Sequence, residues 1–297
     1  MSQMAMVAPG GRASEEPLSG GMPISGGCDE GMRRRLFKKE SVGCEDLPEK
    51  LEGTIRVLSW NIRGFLSGQN TFHMDKITAL RHHSLSSGAD VICWNELNVS
   101  WPLVPPQLRL KQATRHWWEA SHASLSYNRR DSSGKKDLHG GCAVLSNNKL
   151  CHRVIASGED TTNLGRWAWT TFQGKRNMRL TVVSAYRPCS PSPNSANAVW
   201  HQHNSYFATI NRAFESPREA ILNDLFSLLA RFHAQGHLLI VSIDLNEEVT
   251  SPQIAARFES LSMQLTHDFP EGFNTHSDGS YPIDGVWASS ILEVVMC

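Results

Sequence analysis

Acidic and amide side chains stand at the end or at the start of strand-like apolar runs in four separate parts of the sequence. They are Asn61 in SWNIRG, Glu96 in DVICWNEL, Asp244 and Asn246 in LLIVSIDLN, and Asp284 in PIDGVWAS. Because α/β folds build their sites at the ends of strands, we expect these side chains to gather at one rim of a sheet. Carboxylate and amide oxygens suit Mg²⁺, which binds few protein oxygens and keeps several waters. The set therefore predicts a site that holds a divalent cation and activates water.

Each of these residues also has a purely structural interpretation. Asp244 and Asn246 leave the same face of an extended segment, where the carboxylate could take a proton from water, but an Asx-type turn would use the same pair. Glu96 follows an apolar run, where a buried carboxylate needs a cation beside it, but it could equally lie in solvent. Tyr186 ends the run LTVVSAY. Its hydroxyl could donate to a phosphate oxygen, or its ring could simply cap the edge of the apolar core.

Bulk composition excludes several classes of protein. The 297 residues carry 29 basic and 29 acidic side chains, so affinity for a polyanion must come from local patches. No apolar run is long enough to span a bilayer, and the N-terminus lacks the hydrophobic stretch of a signal peptide. We therefore expect an intracellular protein, nuclear or cytoplasmic, with no membrane partner. The seven cysteines include no CxxC pair, which favours free thiols over a disulfide framework or a zinc site.

Composition divides the chain into a leader and a folded domain. Residues 1–52 are rich in Gly, Ser, Pro and Met with little apolar periodicity, which predicts a disordered leader. Within it, residues 32–40 read MRRRLFKKE, which is typical of a nuclear localisation signal or a phosphate-binding arm, and equally of a solvated basic stretch. Residues 53–297 show the periodic distribution of apolar residues that is typical of one folded domain.

Strand and helix patterns follow one another irregularly through this domain. The clearest helix is predicted over residues 217–235, where Ser216 and Glu219 form a capping box and Gly236 ends the periodicity. Strands are predicted near residues 54–60, 90–94, 140–146, 167–172, 180–186 and 238–243, and a further helix over 75–87. Because the two types do not alternate strictly, a mixed-sheet α/β sandwich fits better than a Rossmann fold.

The order of these segments resembles the endonuclease/exonuclease/phosphatase superfamily. WNIRG, a glutamate after an apolar strand, AYRP, DLN after an apolar strand, and IDGVW follow one another between residues 54 and 291. AP-endonuclease-like enzymes and the endonucleases of LINE-type retrotransposons are the relatives that this order suggests. The resemblance implies a four-layer α/β sandwich, with two mixed β-sheets packed face to face and helices outside. It also implies metal-dependent cleavage of phosphodiester bonds, with DNA as the substrate and Mg²⁺, or else Mn²⁺, as the cofactor.

The same resemblance implies a role for each residue of the set. Glu96 resembles the family's metal ligand and Asn61 the amide beside it, while Tyr186 resembles the tyrosine that contacts phosphate. Asp244, with Asn246 beside it, is similar to the residue that orients or deprotonates the attacking water, and Asp284 resembles the aspartate that pairs with a catalytic histidine. Such a set would support in-line attack of water on phosphorus, with the metal and hydrogen-bond donors stabilising the charge that builds on oxygen.

The sequence departs from the family pattern in four places. Asn95 precedes the glutamate where the family usually has glutamine, Ser242-Ile243 precede the aspartate in place of the usual glycine, and Cys189 replaces an asparagine often found after the tyrosine motif. Family members also close with a Ser-Asp-His segment on a last strand. The sequence reaches Cys297 without that segment, so we expect the sandwich to lack its last strand and the catalytic histidine to be missing.

Three functions follow as alternatives. The first is a Mg²⁺-dependent phosphodiesterase acting on DNA, the second a catalytically impaired family member that binds without cutting, such as a mobile-element fragment, and the third a phosphatase acting on a lipid or small-molecule phosphate. A loop-like basic cluster could follow a phosphate backbone, and a tryptophan pair could stack on bases. The same residue patterns are equally typical of a solvated loop and of a buried tryptophan pair. The cluster comprises Arg129, Arg130, Lys135 and Lys136, and the pair Trp117 and Trp118.

Overall fold

A computed structural model describes residues 2–7, 49–65, 74–130, 139–190, 199–269, 275 and 281–296. In chain order the strands are β1 (Ser2–Val7), β2 (Thr54–Asn61), β3 (Val91–Asn95), β4 (Ser121–Ser126), β5 (Cys142–Asn147), β6 (Val154–Glu159), β7 (Trp167–Gln173), β8 (Arg179–Tyr186), β9 (His237–Asp244), β10 (Met263–Leu265), β11 (Asp284–Ser289) and β12 (Glu293–Met296). The helices are α1 (Met74–Ser86), α2 (Leu110–Thr114), α3 (Asn148–Cys151), α4 (Val199–Thr209), α5 (Pro217–Ala234) and α6 (Pro252–Glu259).

The strands form two sheets of mixed direction. The first has the order β12-β1-β2-β3-β5-β4 and the second the order β10-β11-β9-β8-β7-β6. Each contains one parallel pair, β2 with β3 in the first and β8 with β9 in the second, and its other pairs are antiparallel. This arrangement confirms the predicted α/β sandwich.

Three apolar cores separate the layers of the sandwich. Between the sheets, side chains of β2, β3 and β5 pack against side chains of β8, β9 and β11. The outer face of the first sheet packs against α1 and the segment that contains the Trp117–Trp118 pair, and the outer face of the second packs against α5 and α6. Residues buried between the sheets include Val57, Val91, Val144, Val182, Ile240 and Val286. Strands covered on both faces explain the nearly continuous apolar runs of β3 and β9.

The helix α5 shows how local signals set an element's ends. The Ser216 Oγ accepts the backbone N–H of Glu219 at 3.2 Å, and Pro217 occupies the first turn, where its missing N–H costs nothing. Its apolar face, which includes Leu225 and Phe232, packs on the second sheet. The helix ends before Gly236, whose φ of 73° is a left-handed conformation that glycine adopts without strain. The helix predicted over residues 217–235 is therefore confirmed to within one residue.

The N-terminal segment differs from the prediction. Residues 2–7, assigned to a disordered leader, form β1, which pairs antiparallel with both β2 and β12. Pairing with strands so distant in sequence leaves no local signal, so periodicity could not reveal it. Residues 8–48, including the basic stretch at 32–40, lie outside the described residues. The prediction of a missing last strand concerns what would follow Cys297 and stays a prediction.

No helix in the described part of the chain is long and apolar enough to cross a membrane.

Candidate active site

The strand register brings the predicted residues to one rim of the sandwich. In the second sheet, Asp244 at the end of β9 pairs with Tyr186 at the end of β8 and with Asp284 at the start of β11. In the first sheet, Asn61 at the end of β2 pairs with Asn95 at the end of β3. Parallel strands end at the same edge of their sheet, so the two rows face each other at one edge of the inter-sheet core.

A hydrogen bond joins the two rows across the sheets. The Asn61 Nδ2 donates to Asp244 Oδ2 at 2.8 Å, and the backbone N–H of Asn246 donates to Asp244 Oδ1 at 3.0 Å. One layer deeper, the hydroxyls of Ser59 and Ser242 lie 2.6 Å apart, so a second polar contact ties β2 to β9 directly beneath the site. Asp244 is therefore held by one donor from each sheet, and its position is set by both.

The electrostatics of Asp244 favour a neutral carboxyl in the protein alone. Its side chain is buried, with 1% relative exposure. Burial, followed by the negative charges of Asp284 and Glu96, holds the pKa of the Asp244 carboxyl well above its ordinary range, against the opposing hydrogen bonds from Asn246 and Asn61. Nearby positive charge would restore the carboxylate form, which is the form able to accept a proton from water.

Glu96 lies just past the end of β3 in a conformation that few glutamates adopt. Its φ is 53°, in the left-handed region that is costly for a residue with a long side chain. The backbone around it is fixed, because its carbonyl accepts the N–H of Gly64 at 2.6 Å and the N–H of Leu97 donates to the carbonyl of Gly141 at 3.2 Å. A strained backbone held from both sides places the half-buried carboxylate toward Tyr186, with which it shares a hydrogen bond.

Tyr186 supplies a phenol that stays protonated. Burial, and after it the charge of Glu96, raises the pKa of this phenol well above its usual value. The hydroxyl therefore remains a hydrogen-bond donor throughout the neutral range, as contact with a phosphate oxygen would require.

Lys76 is a site neighbour that sequence reasoning missed. Its Nζ donates to the carbonyl of Arg63 at 3.1 Å, and the N–H of Arg63 donates to Asn61 Oδ1 at 3.0 Å, so this lysine of α1 lies on the turn that carries Asn61. Burial, followed by the charge of Arg63, lowers the pKa of Lys76 to about 8, while the charge of Glu96 opposes the shift. The sequence offered no signal for it, since one lysine in a helical stretch is ordinary.

The loop that carries Asn246 is held by side chains from the neighbouring loop. Asn246 has a φ of 47°, its Nδ2 donates to the carbonyl of Arg187 at 2.7 Å, and the Cys189 thiol donates to its Oδ1 at 3.0 Å. Cys189 is exposed, and its thiol also hydrogen-bonds Tyr186. Cys189 and the Arg187 carbonyl together fix the orientation of the Asn246 amide.

Two arginines hold these loops from behind, Arg187 of the AYRP segment and Arg218 of α5. The Arg218 side chain of α5 donates to the carbonyls of Pro188 at 2.6 Å and Asn246 at 3.1 Å, and to Glu247 Oε2 at 2.8 Å. The buried Arg187 also pairs with Glu247, and its Nε donates to the carbonyl of Arg218 at 3.1 Å. The Arg218 guanidinium therefore bridges the loop that follows β8 and the loop that follows β9.

Replacing Arg218 by methionine should loosen the Asn246 loop. We expect a loss of about 1–3 kcal/mol in the free energy of unfolding, because Glu247 and two carbonyls lose a donor, and a fall in any activity that depends on Asn246. Thermal and urea unfolding measure the first effect. Arg257→Met is the matched control. Arg257 pairs at 3.2 Å with Glu219, which also pairs with Arg187, but its side chain is 35% exposed against 13% for Arg218, so its loss should cost well under about 1 kcal/mol. Equal losses for the two variants would contradict the assignment.

The donor set fits a divalent cation of the Mg²⁺ type. Among the described residues, no group of three or more His, Cys, Asp or Glu side chains is arranged to hold a metal. Mg²⁺ needs only one or two carboxylates and keeps its waters, so the half-buried Glu96 carboxylate, with the Asn61 amide oxygen at the end of the neighbouring strand, would be a sufficient anchor. The convergence of Glu96 and Asp284 on Asp244 adds a negative field that such a cation would offset.

The tryptophan pair and a buried histidine of α4 take structural places in the fold. Trp117 is buried in the outer core of the first sheet, with its ring centroid 5.7 Å from that of Trp118, which supports the interpretation as a buried pair. His203 is buried against the carbonyl of Leu164, and burial, followed by the charge of Arg166, lowers its pKa to about 3. It therefore stays neutral near pH 7, and its Nε2 donates to the Leu164 carbonyl. Lys135 and Lys136 lie outside the described residues.

Comparison with known proteins agrees with this architecture. The model of the Endonuclease/Exonuclease/phosphatase family matches residues 58–290. The fold is similar to that of the human Nocturnin catalytic domain, at 16% identity and a TM-score of 0.50 over 80% of this chain and 82% of that one. It is also similar to SmcL (13% identity, TM-score 0.50, 80% and 83% covered) and to the Xenopus laevis APE2 catalytic domain (17%, 0.48, 79% and 82%). No curated protein matches the sequence. At these identities the similarity to Nocturnin and SmcL shows the fold alone.

Proposed function

The chain belongs to the Endonuclease/Exonuclease/phosphatase family, and on that premise we propose that it is a Mg²⁺-dependent phosphodiesterase whose substrate is DNA. The observation that carries the proposal is the bond between Asn61 and Asp244 across the two sheets. It places a buried carboxyl, whose second oxygen is held by Asn246, at an edge where a glutamate, a tyrosine and a lysine converge.

In this proposal Asp244 orients the attacking water and takes its proton. Each carboxylate oxygen accepts one N–H donor, which restrains its rotation, and each keeps a further lone pair able to accept a proton. A fixed acceptor beside the attacking water raises the fraction of time that this water spends in a geometry suited to attack on phosphorus. Asp284, whose backbone N–H donates to Thr275 Oγ1 at 3.1 Å, lies next to it and contributes negative charge that favours proton acceptance.

Glu96 and Asn61 would hold the metal ion, which when bound supplies positive charge to the phosphate oxygens. The same charge favours the ionised form of Asp244, offsetting the shift that Asp284 and Glu96 cause. Tyr186 then donates to a second phosphate oxygen, and Lys76 adds a positive charge on the Glu96 side. Such preorganised donors stabilise the charge that develops on the phosphate in the transition state.

The choice of DNA rests on the order of the motifs in the sequence. That order resembles the order of motifs in AP-endonuclease-like enzymes and LINE-type endonucleases. By this resemblance, Glu96, Tyr186 and Asp244 of this chain would have the roles given above. A phosphatase acting on small phosphate monoesters would use the same chemistry, so the assay must separate the two substrates.

The test compares a small phosphodiester, plasmid DNA and a phosphate monoester as substrates, with Mg²⁺, with Mn²⁺ and with neither. We expect metal-dependent cleavage of the diester and the DNA, and a loss of about 10²–10⁴-fold in kcat/KM for Glu96→Gln, because that variant loses the anionic ligand. Glu259→Gln is the matched control, since Glu259 is exposed at the end of α6 and loses the same charge. Phosphate release from the monoester without DNA cleavage would favour the phosphatase, and DNA binding without any turnover would favour an impaired family member.

A further inference from the structure

A pair of arginines stands at the same rim as the candidate active site. Strands β3 and β4 both run antiparallel to β5, so their carboxyl ends lie on one edge, with Ser126 paired to Cys142 and Cys142 to Asn95. Arg129 and Arg130 follow Ser126 beyond that edge. Because β5 alone separates β4 from β3, the ends of these two strands lie about 10 Å apart, two strand spacings, with Glu96 just past one end and the arginine pair past the other.

Both guanidinium groups are exposed but held in place by aromatic rings. The Arg129 guanidinium lies 4.8 Å from the ring centroid of Tyr127, and that of Arg130 lies 4.1 Å from the ring centroid of Tyr206 on α4. The Arg130 Nε donates to the carbonyl of Thr162, and its backbone N–H donates to Asn128 Oδ1 at 2.9 Å. Stacking on a ring and a bond to a carbonyl fix the charge without neutralising it, so less rotamer entropy is lost when an anion binds.

The two arginines differ in how far their charge is already compensated. Arg129 forms an ion pair with Glu159 at 2.7 Å and a hydrogen bond to Asn163 at 3.0 Å. No carboxylate among the described side chains lies within ion-pair distance of Arg130. Arg130 is therefore the stronger anion-binding group of the pair, and Glu159 restrains Arg129.

We propose that Arg130, assisted by Arg129, binds a backbone phosphate of a nucleic acid strand whose scissile phosphate lies at Asp244. The proposal rests on the proposed function, and it adds a second contact point that only a polymer with flanking phosphates can reach. An offset of about 10 Å between the strand ends corresponds to about three base pairs at 3.4 Å of rise along the axis of a duplex. A guanidinium is suited to this contact because its planar fork matches two phosphate oxygens.

Binding can be measured apart from cleavage, with a labelled DNA duplex in the presence of a chelator and over a range of salt. We expect Arg130→Gln to weaken binding about three- to tenfold and to reduce the slope of log K against log salt by about 0.9, the value for one lost phosphate contact. Glu159→Gln should strengthen binding, because it releases Arg129. Arg179→Gln is the control, since Arg179 is exposed at the opposite end of β8 from Tyr186 and should leave binding unchanged.

The outcomes separate this inference from the proposed function. Weaker binding by Arg130→Gln with unchanged binding by Arg179→Gln supports the contact, even if the protein cleaves nothing. Wild-type binding by Arg130→Gln, an equal loss for Arg179→Gln, or weaker binding by Glu159→Gln overturns it. The kcat/KM for a small phosphodiester, which cannot reach Arg130, should be the same in wild type and Arg130→Gln, and a parallel loss there would also overturn the proposal.

Discussion

Replacing Asp244 by asparagine is expected to lower kcat/KM for phosphodiester cleavage by about 10³-fold or more, because the side chain loses its ability to accept a proton. The replacement also disturbs the neighbouring amide. Both Asp244 oxygens accept N–H groups, one from Asn61 and one from Asn246. An asparagine presents one oxygen and one NH₂ group, so one of these contacts becomes a donor facing a donor, and either the Asn61 amide turns over or the contact with Asn246 is lost.

Stability should respond little to this change. The buried Asp244 carboxyl has a raised pKa and its ionised form is costly in the free protein, so a neutral amide of the same size removes that cost while losing one hydrogen bond. We expect the free energy of unfolding to stay within about 1 kcal/mol of wild type. Activity within tenfold of wild type in a folded Asp244→Asn protein would rule out Asp244 as the proton acceptor.

Replacing Arg166 by methionine is expected to cost about 3–5 kcal/mol of the free energy of unfolding. The Arg166 side chain is 1% exposed, and it donates to Asp160 through Nε at 2.7 Å and Nη2 at 2.9 Å, and to Asp224 through Nη1 at 2.7 Å. Its removal leaves the fully buried Asp160 carboxylate with hydrogen bonds from Thr162 but no cation. Arg212→Met is the matched control, since Arg212 also pairs with Asp224 but is 27% exposed, and should cost less than about 1 kcal/mol.

The same ion pair sets a pH dependence with a definite sign. Burial opposes ionisation of Asp160, but the hydrogen bonds and charge of Arg166 outweigh it and hold the pKa of Asp160 below its ordinary value. The resulting stabilisation is present above the unfolded pKa of about 3.9 and is lost as the pH falls through the lower folded value. The difference in unfolding free energy between wild type and Arg166→Met should therefore be greatest near neutral pH and shrink below about pH 4. Urea unfolding at several pH values measures it, and a difference that grows in acid would contradict the pairing.

Local patterns in the sequence were enough to predict the elements that build the site. Apolar runs predicted β3, β8 and β9, and a capping box with a terminal glycine predicted α5, because strand burial and helix caps depend on residues close together in the chain. Polar residues at strand ends predicted the rim itself. The structure brings Asn61, Glu96, Tyr186, Asp244, Asn246 and Asp284 to that one edge.

Contacts between distant segments were beyond the reach of these patterns. Lys76 lies beside the turn of Asn61, Arg218 spans two loops from a helix, and β1 inserts between β2 and β12. None of these has a periodicity or a spacing that marks it, because each depends on how the layers pack. A lysine or arginine in a helical stretch gives the same sequence pattern whether its side chain faces solvent or a functional site.

The sequence by itself determined the kinds of element, their order and the residue types at their ends, since hydrophobic periodicity and capping are local properties. Only the tertiary structure decided which ends meet, how Asp244 is held and where its pKa lies. The Asn61–Asp244 bond joins residues from different sheets, and the shift in pKa arises from burial and from charges on other strands. Both depend on distances through space, which the chain acquires only when the two sheets pack face to face.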